Sequence, residues 1–423
     1  MSAPWLRRPV VAGLALSVLA MGTSTFTTLG LAALAPYLRA TFHLSTFEIG
    51  TLPALVFLGA LSVSLPAGRL TDRLGAGAAL ALALTGVAVG IGIAALAASK
   101  TLFLCGVALG GVGYGAVNPA TNVLSTSMVP RRHRAFFLSI KQTGVTLGGL
   151  LAGATLPSLA DALGWRSALT VPIAMLFGCA LGALWASRRE RAGWFDAPVV
   201  AGGRRGLVSV PVPSATATAV FGFVSSGVQL SVAGYLTIYL VDTQHFSRPV
   251  AGAGLSIAFA AGCLGRLAWG ALSDRRFASH ASTLAVSSAG SAIGLLALTS
   301  GVGGVTLWAV IALVGFCSIG WNGVYMALIT DRAGDAKLGR ATGRGLMFLY
   351  GGVVVIPPLL GALYDAVHSW PAVWAVATAA VLGAGGLLAF GPRSLISVPS
   401  GEPPPVAVSA GLDGSVTLGS IPV

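Results

Sequence analysis

Charge is what this sequence has least of. Only 9% of its 423 residues are Asp, Glu, Lys or Arg, against roughly 25% in a soluble domain. That leaves too little polar surface to cover a body in water, which excludes an ordinary soluble fold. Cysteine is scarce too. Cys105, Cys179, Cys263 and Cys317 each stand alone in an apolar stretch, so neither metal spacing nor a disulfide framework is present. The apolar stretches lack the period-2 alternation of a membrane β-barrel. No metal-spaced His/Glu cluster, phosphate-cradling loop or nucleophilic triad is found, so an enzyme is not expected, nor a metal or other cofactor.

What the chain does have is apolar residues in blocks. They make up 55% of the sequence, the mean hydropathy is +0.86, and each block approaches the roughly 20 residues that cross a bilayer as a helix. Spans are expected near 10–38, 46–67, 77–98, 102–127, 135–159, 167–187, 213–240, 249–272, 282–299, 304–329, 341–363 and 370–390. Arg7 and Arg8 precede the first span, but its apolar run is longer than the roughly 7–15 residues of a signal-peptide core. Glycine, 58 of 423 residues, is about twice its usual share. In membrane helices that implies close helix–helix approach.

The formal charge of +13 has a topological explanation, so nucleic acid is not an expected partner. Nineteen of the 25 Lys and Arg residues fall in the N-terminus, the even-numbered loops and the C-terminal tail. Four lie near the other face (Arg39, Lys100, Arg166 and Arg248), and Lys141 and Arg266 lie inside spans. The positive-inside rule then places both termini in the cytoplasm of a multi-pass protein of the cell membrane. The expected organisation is a six-helix bundle over 1–187, a cytoplasmic linker over 188–212 holding Arg188-Arg189-Glu190-Arg191, a second bundle over 213–391, and a disordered tail over 392–423.

The halves repeat each other. Gly68-Arg69-Leu70-Thr71-Asp72-Arg73 after the second span matches Gly270-Ala271-Leu272-Ser273-Asp274-Arg275 after the eighth. Asn118 matches Asn322, Arg134-Ala135 matches Arg340-Ala341, and Asp161 with Trp165 matches Asp365 with Trp370. The offset stays between 202 and 206, as in parallel repeats related by an axis along the membrane normal. The repeated Gly-x-Leu-x-Asp-Arg resembles the signature of the major facilitator superfamily, although Ala76-Gly77-Ala78 stands where that family usually has basic residues. The resemblance covers about residues 10–390. It implies an all-α fold of twelve transmembrane helices in two pseudo-symmetric six-helix bundles, working by alternating access, with spans 1, 4, 7 and 10 lining a central cavity and spans 5 and 8 adjacent.

The signature loops read as tight turns that need glycine. Gly68, Asp72, Arg73, Gly270, Asp274 and Arg275 are the expected conformational latch, because a carboxylate at the cytoplasmic edge is stabilised near the N-terminus of a helix in the opposite half. The alternative is that Asp72 and Asp274 only cap a short loop helix.

Lys141 and Arg266 lie at similar depth, roughly 10 and 12 Å into their spans at 1.5 Å per residue. Both sit on small-residue stripes, Lys141/Gly144/Gly148 and Gly262/Arg266/Gly270. A charge at such depth is costly and by default functional, and Arg offers a fork suited to a carboxylate. Snorkelling or bonds to backbone carbonyls are the structural alternative. Asn118 and Asn322, with Trp321, Tyr325 and Gln229, are further candidate substrate contacts, against helix–helix bonding as the plainer role. No acidic residue falls mid-span. The leading expectation is therefore a carrier of a small organic anion, acting as a monomer in the bilayer, with a coupled ion as a second candidate partner. An efflux carrier for apolar or cationic drug-like compounds is the alternative.

Overall fold

A computed structural model describes residues 8–127, 129, 131–191, 207–273, 279–333 and 338–399. Twelve helices among them are long and apolar enough to cross a membrane. The first bundle contains α1 (Arg8–Ala33), its short continuation α2 (Ala35–Phe42), α3 (Thr46–Leu74), α4 (Ala76–Leu96), α5 (Lys100–Thr126), α6 (Arg131–Leu163), and the pair α7 (Trp165–Ala168) and α8 (Thr170–Arg191). The second contains α9 (Ala215–Gln244), α10 (Arg248–Ser273), α11 (His280–Thr299), α12 (Gly304–Gly320) with α13 (Asn322–Ala333), α14 (Leu338–Val367) and α15 (Trp370–Phe390). The fold is the pseudo-symmetric pair of six-helix bundles expected from the sequence.

The repeat is visible in backbone geometry. The left-handed residue that ends α2, the continuation of the first span, is His43 (φ 50°), and its mate after the seventh span is His245 (φ 55°). Gly164 (φ 83°) ends α6, and His368 (φ 52°) ends α14. The same pairing governs contact between the halves. A Cβ on Gly252 of α10 would lie 2.6 Å from the Gly153 carbonyl oxygen of α6, and one on Gly153 would lie 2.6 Å from the Gly252 carbonyl oxygen. In the mirrored contact a Cβ on Gly50 of α3 would lie 2.6 Å from the Pro357 carbonyl oxygen of α14. Only hydrogen fits at such backbone approaches. The halves therefore touch along two related seams, α6 with α10 and α3 with α14.

Three expectations are corrected. The signature residues Gly68 to Arg73 are helical, since α3 runs on to Leu74, and a Cβ at Gly68 would meet nothing within 4 Å. Gly270 is likewise inside α10 with open space around it. The turn glycine is Gly75, at φ 83°. Second, the first span ends at Ala33; Leu34 interrupts it, with Pro36 in the first turn of α2. Third, the start of the tail is not free chain. β2 (Arg393–Pro399) pairs antiparallel with β1 (Leu207–Pro213) at the end of the linker, as alternating β-branched residues in both segments favour. Residues 192–206 and 400–423 lie outside the described residues.

Candidate solute site between the bundles

Lys141 lies on α6 and Arg266 on α10, the two helices of one seam. The Arg266 Nη1 donates to the Gln142 carbonyl oxygen at 3.2 Å, so the guanidinium crosses from the second bundle to the backbone beside Lys141. Its Nε is buried without a hydrogen-bond partner. Lys141 is 1% exposed and turns toward α5 of its own bundle. Its ammonium donates to Asn118 Oδ1 and Asn122 Oδ1, both at 2.6 Å, with Thr121 Oγ1 at 3.5 Å. Asn118 and Asn122 are one helical turn apart, so both amides reach one cation. Charged hydrogen bonds are worth about 1.5–3 kcal/mol each, enough to offset much of the roughly 2.5–3.5 kcal/mol cost of a lysine at mid-membrane.

Among the described residues neither cation shows a carboxylate partner, whereas Arg39 pairs with Asp242 and Lys100 with Glu48.

Aromatic residues that sequence reasoning did not single out join the two cations. Tyr350 of α14 reaches hydrogen-bonding range of Asn118, and Tyr114 of α5 lies within electrostatic range of both Tyr350 and Arg266. The Phe57 ring of α3 packs edge-on against both tyrosines, with centroids 5.8 Å from Tyr114 and 5.1 Å from Tyr350. A signal existed for Tyr114, four residues before Asn118 and so on the same helix face. Tyr350 and Phe57 carried none, because their approach depends on the α3–α14 seam.

The second half's amide behaves differently. Asn322 Nδ2 donates to Gln229 Oε1 at 2.9 Å, joining α13 to α9. It lies just past the break in the tenth span, between Gly320 and Asn322. Trp321 and Tyr325 are buried in the packing of the second bundle. Trp321 Nε1 donates to the Ser318 carbonyl, and both rings pack on Phe221. Both belong to a buried hydrophobic cluster with Phe221 and Trp269.

At the linker face Asp72 and Arg73 are exposed on the last turn of α3. Asp274 and Arg275 lie outside the described residues. A carboxylate does sit at a helix N-terminus here, but it is Glu190. Its two oxygens accept from the Ala76 and Gly77 backbone N–H groups, each at 3.1 Å, within the first bundle.

Twelve spans in two related bundles that meet around a polar interface define a secondary transporter, a protein that moves a small solute and carries out no catalysis. The chain belongs to the Major Facilitator Superfamily, whose family model matches residues 14–343 and 219–414. It resembles the solved structures of a bacterial homolog to the human lysosomal transporter Spinster, in inward-facing occupied and inward-facing unoccupied conformations. TM-scores are 0.67 and 0.65 at 16% and 15% identity, covering 92% and 91% of this chain and 96% of the other in both cases. It is also similar to the gentisate transporter of Corynebacterium glutamicum, 26% identical over 129 residues, which is 30% of this chain and 29% of that relative.

Proposed function

We propose that this transporter carries a small organic anion, of the aromatic monocarboxylate class, between the two bundles by alternating access. The observation that carries the reading is the pair of buried cations, Lys141 and Arg266, held at one seam by neutral groups alone. An uncompensated buried charge is unfavourable, and an anionic solute supplies the missing partner. The free Nε edge of Arg266 suits a carboxylate, which accepts two parallel bonds from a guanidinium. Phe57, Tyr114 and Tyr350 offer ring faces and edges beside it. The likeness to a carrier of gentisate, an aromatic carboxylate, agrees with this class. Asn118 acts through Lys141, and Asn322 with Gln229 borders the second half of the path. The test is uptake into proteoliposomes across aromatic carboxylates, aliphatic carboxylates, neutral solutes and cations. Transport of cations or neutral solutes with no anion carried rejects the reading and favours drug-like efflux.

The proposed orientation puts both termini and the linker in the cytoplasm, following the Lys/Arg bias. A single cysteine in the 39–45 loop is expected to react with an impermeant maleimide from outside intact cells, and one in 188–212 only after permeabilisation. The reverse pattern rejects the orientation.

Asp72 is proposed to act in the conformer closed toward the cytoplasm, where it would reach a helix N-terminus of the second bundle. Asp72→Asn is expected to lower the transport rate several-fold, consistent with about 0.3–1 kcal/mol for a carboxylate at a helix N-terminus. Thermal stability is expected to stay unchanged, because Asp72 is exposed in the conformer described above. A wild-type rate removes the latch role.

A further inference from the structure

The face opposite the linker carries a set of cross-bundle contacts that the signature motif does not include. Asp365, at the end of α14, caps the N-terminus of α3 in the other bundle. Its Oδ1 accepts from the Thr46 N–H at 2.9 Å and its Oδ2 from the Phe47 N–H at 2.8 Å. Arg39 Nη1, at the end of α2, meets Asp242 Oδ2, at the end of α9, at 2.7 Å. Arg248, the first residue of α10, stacks its guanidinium 4.5 Å from the centre of the Tyr37 ring of α2. The Tyr37 hydroxyl in turn donates to Asp161 Oδ1 at 2.6 Å. Tyr37 is held in its protonated, donating form, because burial and then the bond to Asp161 both push its pKa up.

The internal repeat relates these contacts to one another. Arg39 and Asp242 are 203 positions apart, one more than the local offset of 202 between His43 and His245, so they sit at nearly equivalent places at the ends of α2 and α9. Asp161 and Asp365 are also counterparts, as are the helix starts at Thr46 and Arg248. Asp365 binds the start of α3 directly, whereas Asp161 reaches toward the start of α10 through Tyr37 and Arg248. The Arg39–Asp242 bridge is thus accompanied by two clasps whose residues the repeat relates.

We infer that Asp365, with the Arg39–Asp242 bridge and the Asp161–Tyr37–Arg248 clasp, forms a gate that holds the bundles closed at this face. Asp365 is its strongest member. A helix N-terminus presents unsatisfied N–H groups, and a carboxylate accepting two of them is a short, directional, charge-assisted contact. The Arg39–Asp242 bridge is about one-third exposed and so is screened by solvent. The contact must break each time the transporter opens here, so it sets the balance between the two access states. The inference is independent of which solute is carried.

The experiment places spin labels on full-length, otherwise cysteine-free protein at Leu96→Cys and Val305→Cys. These are exposed helix ends on the same face, one in each bundle. Distances are read by double electron–electron resonance in lipid nanodiscs. Asp365→Ala is expected to raise the ratio of long to short distances by about ten-fold or more, since it removes two charge-assisted bonds and about 1.5 kcal/mol from even one corresponds to a factor of about ten. Thr46→Pro removes one of the two N–H groups that face Asp365, at a first helical position where proline is tolerated, and is expected to shift the ratio in the same direction by a smaller factor. Arg39→Asp is expected to give a smaller shift, which Arg39→Asp with Asp242→Arg reverses. If Thr46→Pro in monodisperse protein leaves the wild-type distribution, the inference is overturned, whether or not Asp365→Ala folds.

Discussion

Arg266→Gln is expected to reduce anion transport by a factor of roughly 30 to several thousand, corresponding to about 2–5 kcal/mol for removing one partner of a desolvated charge pair. The guanidinium crosses the seam to the Gln142 carbonyl and keeps its Nε buried and unpaired. Glutamine can replace one donor, but neither the charge nor the fork. Arg266→Lys is expected to restore only part of the rate, because an ammonium is a point charge. Lys141→Gln is expected to weaken transport less, since its ammonium is already engaged by Asn118 and Asn122. Initial rates in proteoliposomes, with binding measured separately, check the ranking. Equal losses for Arg266→Gln and Lys141→Gln would mean that the two cations act as one site. Undiminished anion uptake by Arg266→Gln would remove Arg266 from the path.

Gly252→Val is expected to abolish transport at every substrate concentration. Its Cβ would meet the Gly153 carbonyl oxygen at 2.6 Å and sit against the Pro157 ring. Backbone on one side and a proline ring on the other leave little that can yield, and overpacking of this kind typically costs about 1–3 kcal/mol or more. The bundles would be forced apart along α6–α10, moving Arg266 off the Gln142 carbonyl several turns away. Gly68→Val is the control, with nothing within 4 Å of the added Cβ, and is expected to leave thermal stability near the wild-type value. Both are read by thermal melting of purified protein and by uptake. A Gly252→Val protein that melts and transports normally would show that the seam is looser than described.

Of the candidate site, the sequence made the ionisable and amide residues legible and left their partners hidden. Lys141 and Arg266 stood out because charge inside an apolar block is rare and costly. Their similar depth was counted along two helices, and Arg266 reaches the Gln142 carbonyl beside Lys141. Which way each points was not legible. A helix fixes the face on which a side chain starts, while a long flexible stem chooses among neighbours on adjacent helices. Lys141 turns inward to Asn118 and Asn122, whereas Arg266 crosses between bundles. Trp321 was placed by its adjacency to Asn322, and Tyr325 by the helix face it shares with Asn322. The break at Trp321 and the ring of Phe221 put them in packing instead.

The sequence by itself determined the spans, the two-bundle architecture and the internal repeat. These rest on local rules: a bilayer requires apolar helical segments of one length, and a duplicated half keeps its landmarks at a fixed offset. The tertiary structure decided everything that depends on contact between segments distant in the chain. It placed the signature glycines on helix rather than in turns, because α3 continues for two more turns before Gly75. It recruited Tyr114, Tyr350 and Phe57 to the polar interface, and it paired the start of the tail with the end of the linker. It also turned Asp365 and Asp242, loop charges in the sequence, into closures between bundles. A carboxylate's partner is whichever helix end or cation the folded chain brings within about 3 Å, and that distance is set by the packing of the two halves.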